Sequence, residues 1–431
     1  MKYLTLIALA AMLACKSSDI VLLEKQSALK GHNPCEPSIS INPINPKNIV
    51  AGAIIDRYYY SKDGGKKWKS GKLKSSYGVF GDPVIVADYK GNFYYLHLSD
   101  PSGKNWRSDE LLDRIVCQKS TDGGVTFDNG TFMGLNSPKD QDKHWAVVDP
   151  KTNNIYVTWT QFDEYKSIDP NDKSNILFSK STDAGATWSE AIRINQKSGN
   201  CLDDDQTTEG AVPAVGPNGE IYVSWSYNDT IWFDKSTDGG KTWLENDIVV
   251  VNQVGGWDMD IPGIMRCNGM PITLCDLSDG QNSGSIYINY ADQKNGITDT
   301  DVWLVKSEDK GETWSNPIKV NRDSSGNHQF FTWMAIDQND GNLYAVFYDR
   351  RNFTSTETEV FLAWSKDGGE TFFNKKINEE SFVPNPIVFF GDYNNISAHD
   401  GVIAPIWTEA QGLQTGVYTR IIKKEELEDQ K

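Results

Sequence analysis

The sequence predicts an all-β fold: a seven-bladed β-propeller of four-stranded antiparallel blades, its ring closed by a strand from the N-terminal end. Three observations predict it. A Ser-x-Asp-x-Gly hairpin motif occurs six times in 431 residues. Two strand-length runs of β-branched and aromatic residues stand ahead of each copy. The composition has 36 Gly and 17 Pro beside 14 Trp, 18 Tyr and 17 Phe, which supplies turns and bulky core side chains. Such a profile argues against a helical bundle or a multispan membrane protein.

In chain order, residues 1–14 read as a leader. Met1-Lys2 precedes an apolar run from Leu4 to Ala14, too short for the roughly 20 residues that span a bilayer and suited to a secretory signal peptide. Met12-Leu13-Ala14-Cys15 resembles the lipobox of bacterial lipoproteins. That resemblance implies cleavage before Cys15 and acylation of its thiol. With Lys16 following, it also implies an outer-membrane or cell-surface location, with the lipid anchor as the only membrane contact. An ordinary signal peptide is the alternative. Cys35, Cys117, Cys201, Cys267 and Cys275 remain, an odd number that cannot all pair within one chain. Cys201 and Cys267, both in long connections, are the expected pair.

A single domain is expected over 15–424, opening with the orphan strand Ile20–Leu23. Inner strands are expected at Pro37–Asn42, Pro83–Asp88, Trp145–Asp149, Val212–Gly216, Pro271–Asp276 and Trp333–Asp337. Second strands follow at Ile49–Ile55, Phe93–Leu98, Ile155–Thr160, Ile221–Ser226, Ile286–Tyr290 and Leu343–Tyr348. A third strand runs into each motif and a fourth leaves it, so each unit has about 60 residues, the size of a propeller blade. Asn395–His399, Val402–Trp407 and Val417–Ile422 form a seventh unit without a motif or a fourth strand. Ile20–Leu23 completes it and removes an exposed sheet edge. A six-bladed ring, with the last unit as an appendage, is the alternative. Residues 425–431 read as a charged tail.

The motif aspartates are Asp63, Asp122, Asp183, Asp238, Asp309 and Asp367, spaced by 59, 61, 55, 71 and 58 residues. An Asp carboxylate accepts hydrogen bonds from the N–H groups of its own turn, and Gly two residues later tolerates positive φ. These six are structural. The motif resembles the Asp-box, or bacterial neuraminidase repeat, of the sialidase-like superfamily, over nearly the whole mature chain. The resemblance implies the propeller but no single function, because such folds carry hydrolases, lyases and binders. True sialidases place Arg-Ile-Pro at the first inner strand. Here the place reads Cys35-Glu36-Pro37, and Glu where the family has Arg argues against sialidase activity.

Strand alternation puts the motif hairpins on one face of the ring and the starts of the inner strands on the other, around the axis. Residues at that mouth are the candidates for chemistry: Glu36, Asp82, Asp142, His144, Glu209, His328 and Asp392. Arg57, Arg266, Arg350 and Tyr393 are candidates for ligand binding. The connections Ser99–Arg114 and Gln161–Ser174 are expected to rim the mouth. Carboxylates accept sugar hydroxyls, Arg forks grip acid groups and aromatic faces stack on sugar rings. Paired carboxyls also suit glycoside hydrolysis, and His144 or His328 with Arg57 or Arg350 would suit a polysaccharide lyase. A non-catalytic glycan- or protein-binding module is the other reading. Asp203 and Asp205 offer oxygen ligands of the kind Ca²⁺ takes, and no other cofactor is expected. A net charge of −17 repels phosphate backbones and excludes nucleic acid as a partner.

Overall fold

A computed structural model describes residues 19–427. The expected leader 1–14, Cys15 and residues 428–431 lie outside the described residues. Seven antiparallel sheets form the ring. Their inner strands, which number the blades 1 to 7, are Ser38–Ile41, Val84–Ala87, Asp140–Val148, Glu209–Val215, Ile272–Cys275, Gln329–Asp337 and Asn395–His399. In blades 1 to 6 each strand pairs with the next in the chain, stepping outward from the axis. Inner strands touch their neighbours around the whole circle, blade 7 meeting both blade 6 and blade 1.

The N-terminal strand closes that circle. Ile20–Ser27 is the outermost strand of blade 7, antiparallel to Gln414–Arg420, with Ile20 opposite Arg420 and Ser27 opposite Gln414. Seven blades are therefore present, not six. The expected strand Val417–Ile422 divides in two: Gln414–Arg420 and Ile422–Lys423 both pair with Val402–Gln411. The expected tail starts with a packed turn, since Lys424–Leu427 is a 3-10 helix with Leu427 buried.

Apolar side chains of adjacent blades interdigitate. Ile39, Ile41, Ile49 and Ala51 of blade 1 pack with Val402, Ala404, Ile406 and Val417 of blade 7. The axis itself is plugged. Trp145 of blade 3 meets Trp333 of blade 6 across it at 4.1 Å between ring centroids, and Tyr393 stands edge-on to Trp145 at 5.0 Å. The channel is consequently a blind cup.

The six repeated hairpins fasten the ring on the face away from the mouth. In blade 4, Ser236 Oγ donates to Asp238 at 2.8 Å and accepts from the Gly240 N–H at 2.8 Å. Asp238 also accepts from the Thr242 N–H at 2.9 Å. The Thr242 N–H and hydroxyl hold this carboxyl well below its ordinary pKa. The glycine two residues after each motif Asp has positive φ and lies against the preceding blade: Gly240 (φ 80°) on Phe178, Gly65 (φ 83°) on Ile421 of blade 7. A methyl group at either would collide with that side chain. Lysines add links between hairpins, with Lys62 donating to Asp122 O at 2.9 Å and Lys235 to Lys310 O at 2.8 Å.

Candidate functional site at the mouth of the ring

Three inner strands begin further upstream than their apolar runs suggest, and each contains a break in register: between Asp142 and Trp145, Glu209 and Val212, and Phe330 and Trp333. Each break holds a residue with positive φ: Lys143 (50°), Gly210 (74°) and Phe331 (49°). Blades 1 and 2 have the same feature one residue ahead of proline, at Glu36 (51°) and Asp82 (50°). A bulge of this kind re-aims side chains. Four bulky residues in so sparse a region is strain held by the surrounding fold.

The result is a cavity of about 200 Å³ at the mouth. Glu36, Asp82, Asp142, Lys143 and Arg266 form its polar side. Phe80, Trp106, Tyr165 and Phe389 form an apolar side, with Trp106 stacked on Tyr165 at 5.6 Å and 22°. Trp106 and Tyr165 come from the two connections expected to rim the mouth. Asp100 fixes the first of these by accepting from the Asn105 N–H at 3.1 Å.

Beneath the cavity lies a buried ion network. Arg266 donates through Nε to Asp392 Oδ1 at 2.7 Å, through a second nitrogen to Asp392 Oδ2, and through its third to Asp203 Oδ2 at 3.3 Å. Lys143 Nζ lies 2.8 Å from Asp392 and 3.6 Å from Asp82. Burial raises the Asp392 carboxyl, but Arg266 and Lys143 outweigh it and hold the group far below the carboxylate range. Burial would discharge Lys143, yet Asp142, Asp392 and Asp82 keep its pKa well above the ordinary lysine value.

The acids around this network behave differently. Burial, reinforced by the charges of Asp82 and Asp203, pushes Asp142 up to about 7. Glu36, raised by burial and then by Asp82 and Asp392, is pushed well above its ordinary value. It accepts the Asp392 N–H at 3.2 Å. Acids pushed up thus stand beside Asp392, which is held down, and environments that separate carboxyls in this way divide acid from base roles.

Not every expected site residue reaches the cavity. Glu209 is wholly buried, and no described donor meets either carboxylate oxygen; burial raises it strongly. His144 turns toward His97 of blade 2, and burial lowers it to about 4. His328 shares a hydrogen bond with Thr300 at 2.9 Å and is likewise lowered by burial to about 4. Arg57 is committed to Glu24 at 2.7 Å and to the His32 carbonyl at 3.0 Å. Arg350 donates to Pro262 O at 2.7 Å and to Thr358 at 3.1 Å. Tyr393 belongs to the axial plug.

Asp203 and Asp205 do not converge on an open cation position. Asp203 accepts from Tyr165 at 2.7 Å and from the Trp257 indole at 3.0 Å, while Asp205 accepts the N–H groups of Trp257 and Asp258 at 2.6 and 2.9 Å. Among the described residues no group of three or more His, Cys, Asp or Glu could hold a metal ion. The expected Cys201–Cys267 disulfide is absent. Both are buried free thiols: Cys201 takes its place beside Lys166 through its carbonyl, and Cys267 pairs by backbone with Met259.

Among the lining residues, Trp106, Tyr165, Phe80 and Phe389 are not singled out from the sequence, and Lys143 is placed at the mouth without a role. The signal for Trp106 and Tyr165 was their place in the long mouth connections; for Lys143 it was the Asp-Lys-His run at a strand start.

No protein-family model matches the chain. A stretch of 184 residues is 32% identical to a sialidase of Bacteroides fragilis, covering 36% of this chain and 33% of that protein. The chain thus spans only about a third of that relative. Among solved structures, the K499G mutant of the NanB sialidase from Streptococcus pneumoniae superposes with a TM-score of 0.54 at 8% identity, over 88% of this chain and 84% of that one. An ulvan lyase bound to GlcA(1-4)Rha3S gives 0.55 at 12% identity, over 91% and 94%. The fold is that of the sialidase-like β-propellers. Within this sialidase-like fold the cavity at the mouth is set by the starts of the inner strands of blades 1 to 3, and its walls by the connections of blades 2 and 3 together with Arg266 and Phe389 from the connections ahead of blades 5 and 7.

Proposed function

We propose that this sialidase-like propeller is carbohydrate-active and acts as a glycoside hydrolase at the mouth cavity, without being a true sialidase. The observation that carries the reading is the presence in one cavity of Asp142, pushed up to about 7 so that it keeps a proton below neutral pH, and Asp82, whose carboxylate faces Lys143 at 3.6 Å. Asp142 donates a proton to the glycosidic oxygen. Asp82, with Lys143 Nζ 3.6 Å away, attacks the anomeric carbon or activates water. Trp106 and Phe80 offer faces for the C–H side of a sugar ring. A hydrolase is favoured over a lyase because the pairs expected for a lyase, His144 or His328 with Arg57 or Arg350, do not line the cavity, and the arginine that does, Arg266, is bound to Asp392 and Asp203. Glu36 at the place of the sialidase Arg-Ile-Pro segment supports the separation from sialidases.

Export as an outer-membrane lipoprotein, acylated at Cys15, is part of the same proposal and rests on Met12-Leu13-Ala14-Cys15. Such a location would present the mouth to extracellular glycans.

The test is a turnover screen on neutral, uronate-containing and sialylated glycans with the wild type, Asp142→Asn and His328→Ala. Turnover abolished in Asp142→Asn and kept in His328→Ala supports the proposal. Binding without turnover of any glycan would replace it with a non-catalytic binding module.

A further inference from the structure

We infer that the cavity selects an uncharged sugar and that Asp392 enforces the choice, by occupying from within the protein the place a substrate's acid group would take. This inference rests on the carbohydrate reading above and narrows its substrate class.

A pocket built for an anionic sugar presents cations with unoccupied donors. Here each lysine and arginine lining the cavity is already ion-paired. All three guanidinium nitrogens of Arg266 are engaged, two by Asp392 and one by Asp203. Lys143 is divided between Asp392 and Asp82. The two-pronged grip of Arg266 on Asp392 is the geometry with which arginine recognises a carboxylate. The recognised group is the protein's own.

Asp392 is also clamped through its backbone. Its N–H donates to Glu36 Oε1 at 3.2 Å and its carbonyl accepts from Asn268 at 3.0 Å. Gly391 before it has φ 97° and runs so close under Glu36 that a methyl group would lie 2.9 Å from the Glu36 nitrogen. The carboxylate is therefore a fixture and not an arm that swings aside for a ligand.

The charge balance points the same way. Glu36, Asp82 and Asp142 line the cavity, with Asp203 and Asp392 behind them, against Lys143 and Arg266. Even if two of these five acids carry protons, three carboxylates still face two cations. An incoming carboxylate or sulfate would enter a desolvated, net negative space, which is the repulsive element that specificity uses. An uncharged ring meets no such penalty: its hydroxyls bond to Asp82 and Glu36, and its apolar face lies on Phe80, Trp106 and Phe389.

The experiment is a glycan array of neutral oligosaccharides with their sialylated and glucuronate-containing counterparts, read with full-length wild type, Asp392→Asn and Asp392→Glu. The wild type is expected to bind neutral members about tenfold or more tightly than their anionic counterparts. Asp392→Asn is expected to narrow or reverse that ratio, and Asp392→Glu to restore it. A purely structural role would weaken both classes equally. Should Asp392→Asn not fold, Asp203→Asn, which removes the second anion paired with Arg266, is expected to shift the ratio in the same direction by less. Wild-type preference for anionic members, or an unchanged ratio in the folded asparagine variants, overturns the inference and leaves the carbohydrate reading standing. Binding to no glycan at all removes the carbohydrate reading, and the inference with it.

Discussion

Arg266 holds Asp392 in a two-pronged ion pair, with Nε 2.7 Å from Oδ1, across a chain separation of 126 residues. The contact joins the connection ahead of blade 5 to the start of blade 7 and bridges the mouth. Lys143 of blade 3 joins the same carboxylate. Three blades therefore meet at one buried anion, and the floor of the cavity is a structural joint as well as a chemical surface.

Removing that anion should be expensive. Asp392 is 2% exposed, and breaking a buried pair strands its partners without solvation. Asp392→Ala is expected to lose about 3–5 kcal/mol of stability, measured by urea unfolding. An unchanged midpoint would show that the joint does not matter for folding.

The raised acid Asp142 sets a pH dependence. Its folded pKa of about 7 lies above the ordinary carboxyl value, so the folded state binds the extra proton between those two limits. Its contribution to stability is complete below the ordinary value and falls away as pH rises toward 7. Turnover should fall on the same rise, since the neutral form is the proton donor. Asp142→Asn is expected to flatten the stability profile in that window; an unchanged profile would assign the titration elsewhere.

Two adjacent glycines separate backbone strain from packing. Gly64 has φ 74° with nothing near its absent Cβ, whereas Gly65 has φ 83° and faces Ile421. Gly64→Ala is expected to cost about 1 kcal/mol. Gly65→Ala adds overpacking and is expected to cost about 3 kcal/mol. Thermal melts of the two variants check the order, and both should leave ligand binding unchanged because the hairpins lie opposite the mouth.

Trp106 is 62% exposed and stacks on Tyr165. Trp106→Ala should shift stability by less than about 0.5 kcal/mol. It should weaken sugar binding by about 1 kcal/mol, roughly fivefold. Titration calorimetry with the best neutral glycan from the array gives the comparison.

The ring was legible because its signals are local. Ser, Asp and Gly of each hairpin satisfy one another within a few residues, and Asn395–His399 with Val402–Trp407 reads as a blade without help from elsewhere. The mouth was legible as a place but less so as a set of side chains. Alternation along a strand puts Asp142 and His144 on one face. The register break at Lys143 instead brings Asp142 and Lys143 into the cavity and turns His144 toward blade 2. No residue type announces such a bulge, since four of its positive-φ positions carry Glu, Asp, Lys and Phe. Trp106 and Tyr165 were hidden for a related reason: loops bring them together from positions 59 residues apart.

The most direct test is a crystal structure of the protein with the neutral oligosaccharide that binds best. The account predicts a sugar ring against Trp106 with a hydroxyl or glycosidic oxygen within hydrogen-bond distance of Asp142, and Asp392 still paired with Arg266. A sugar bound on the hairpin face or between outer strands, with the mouth cavity empty, would contradict it.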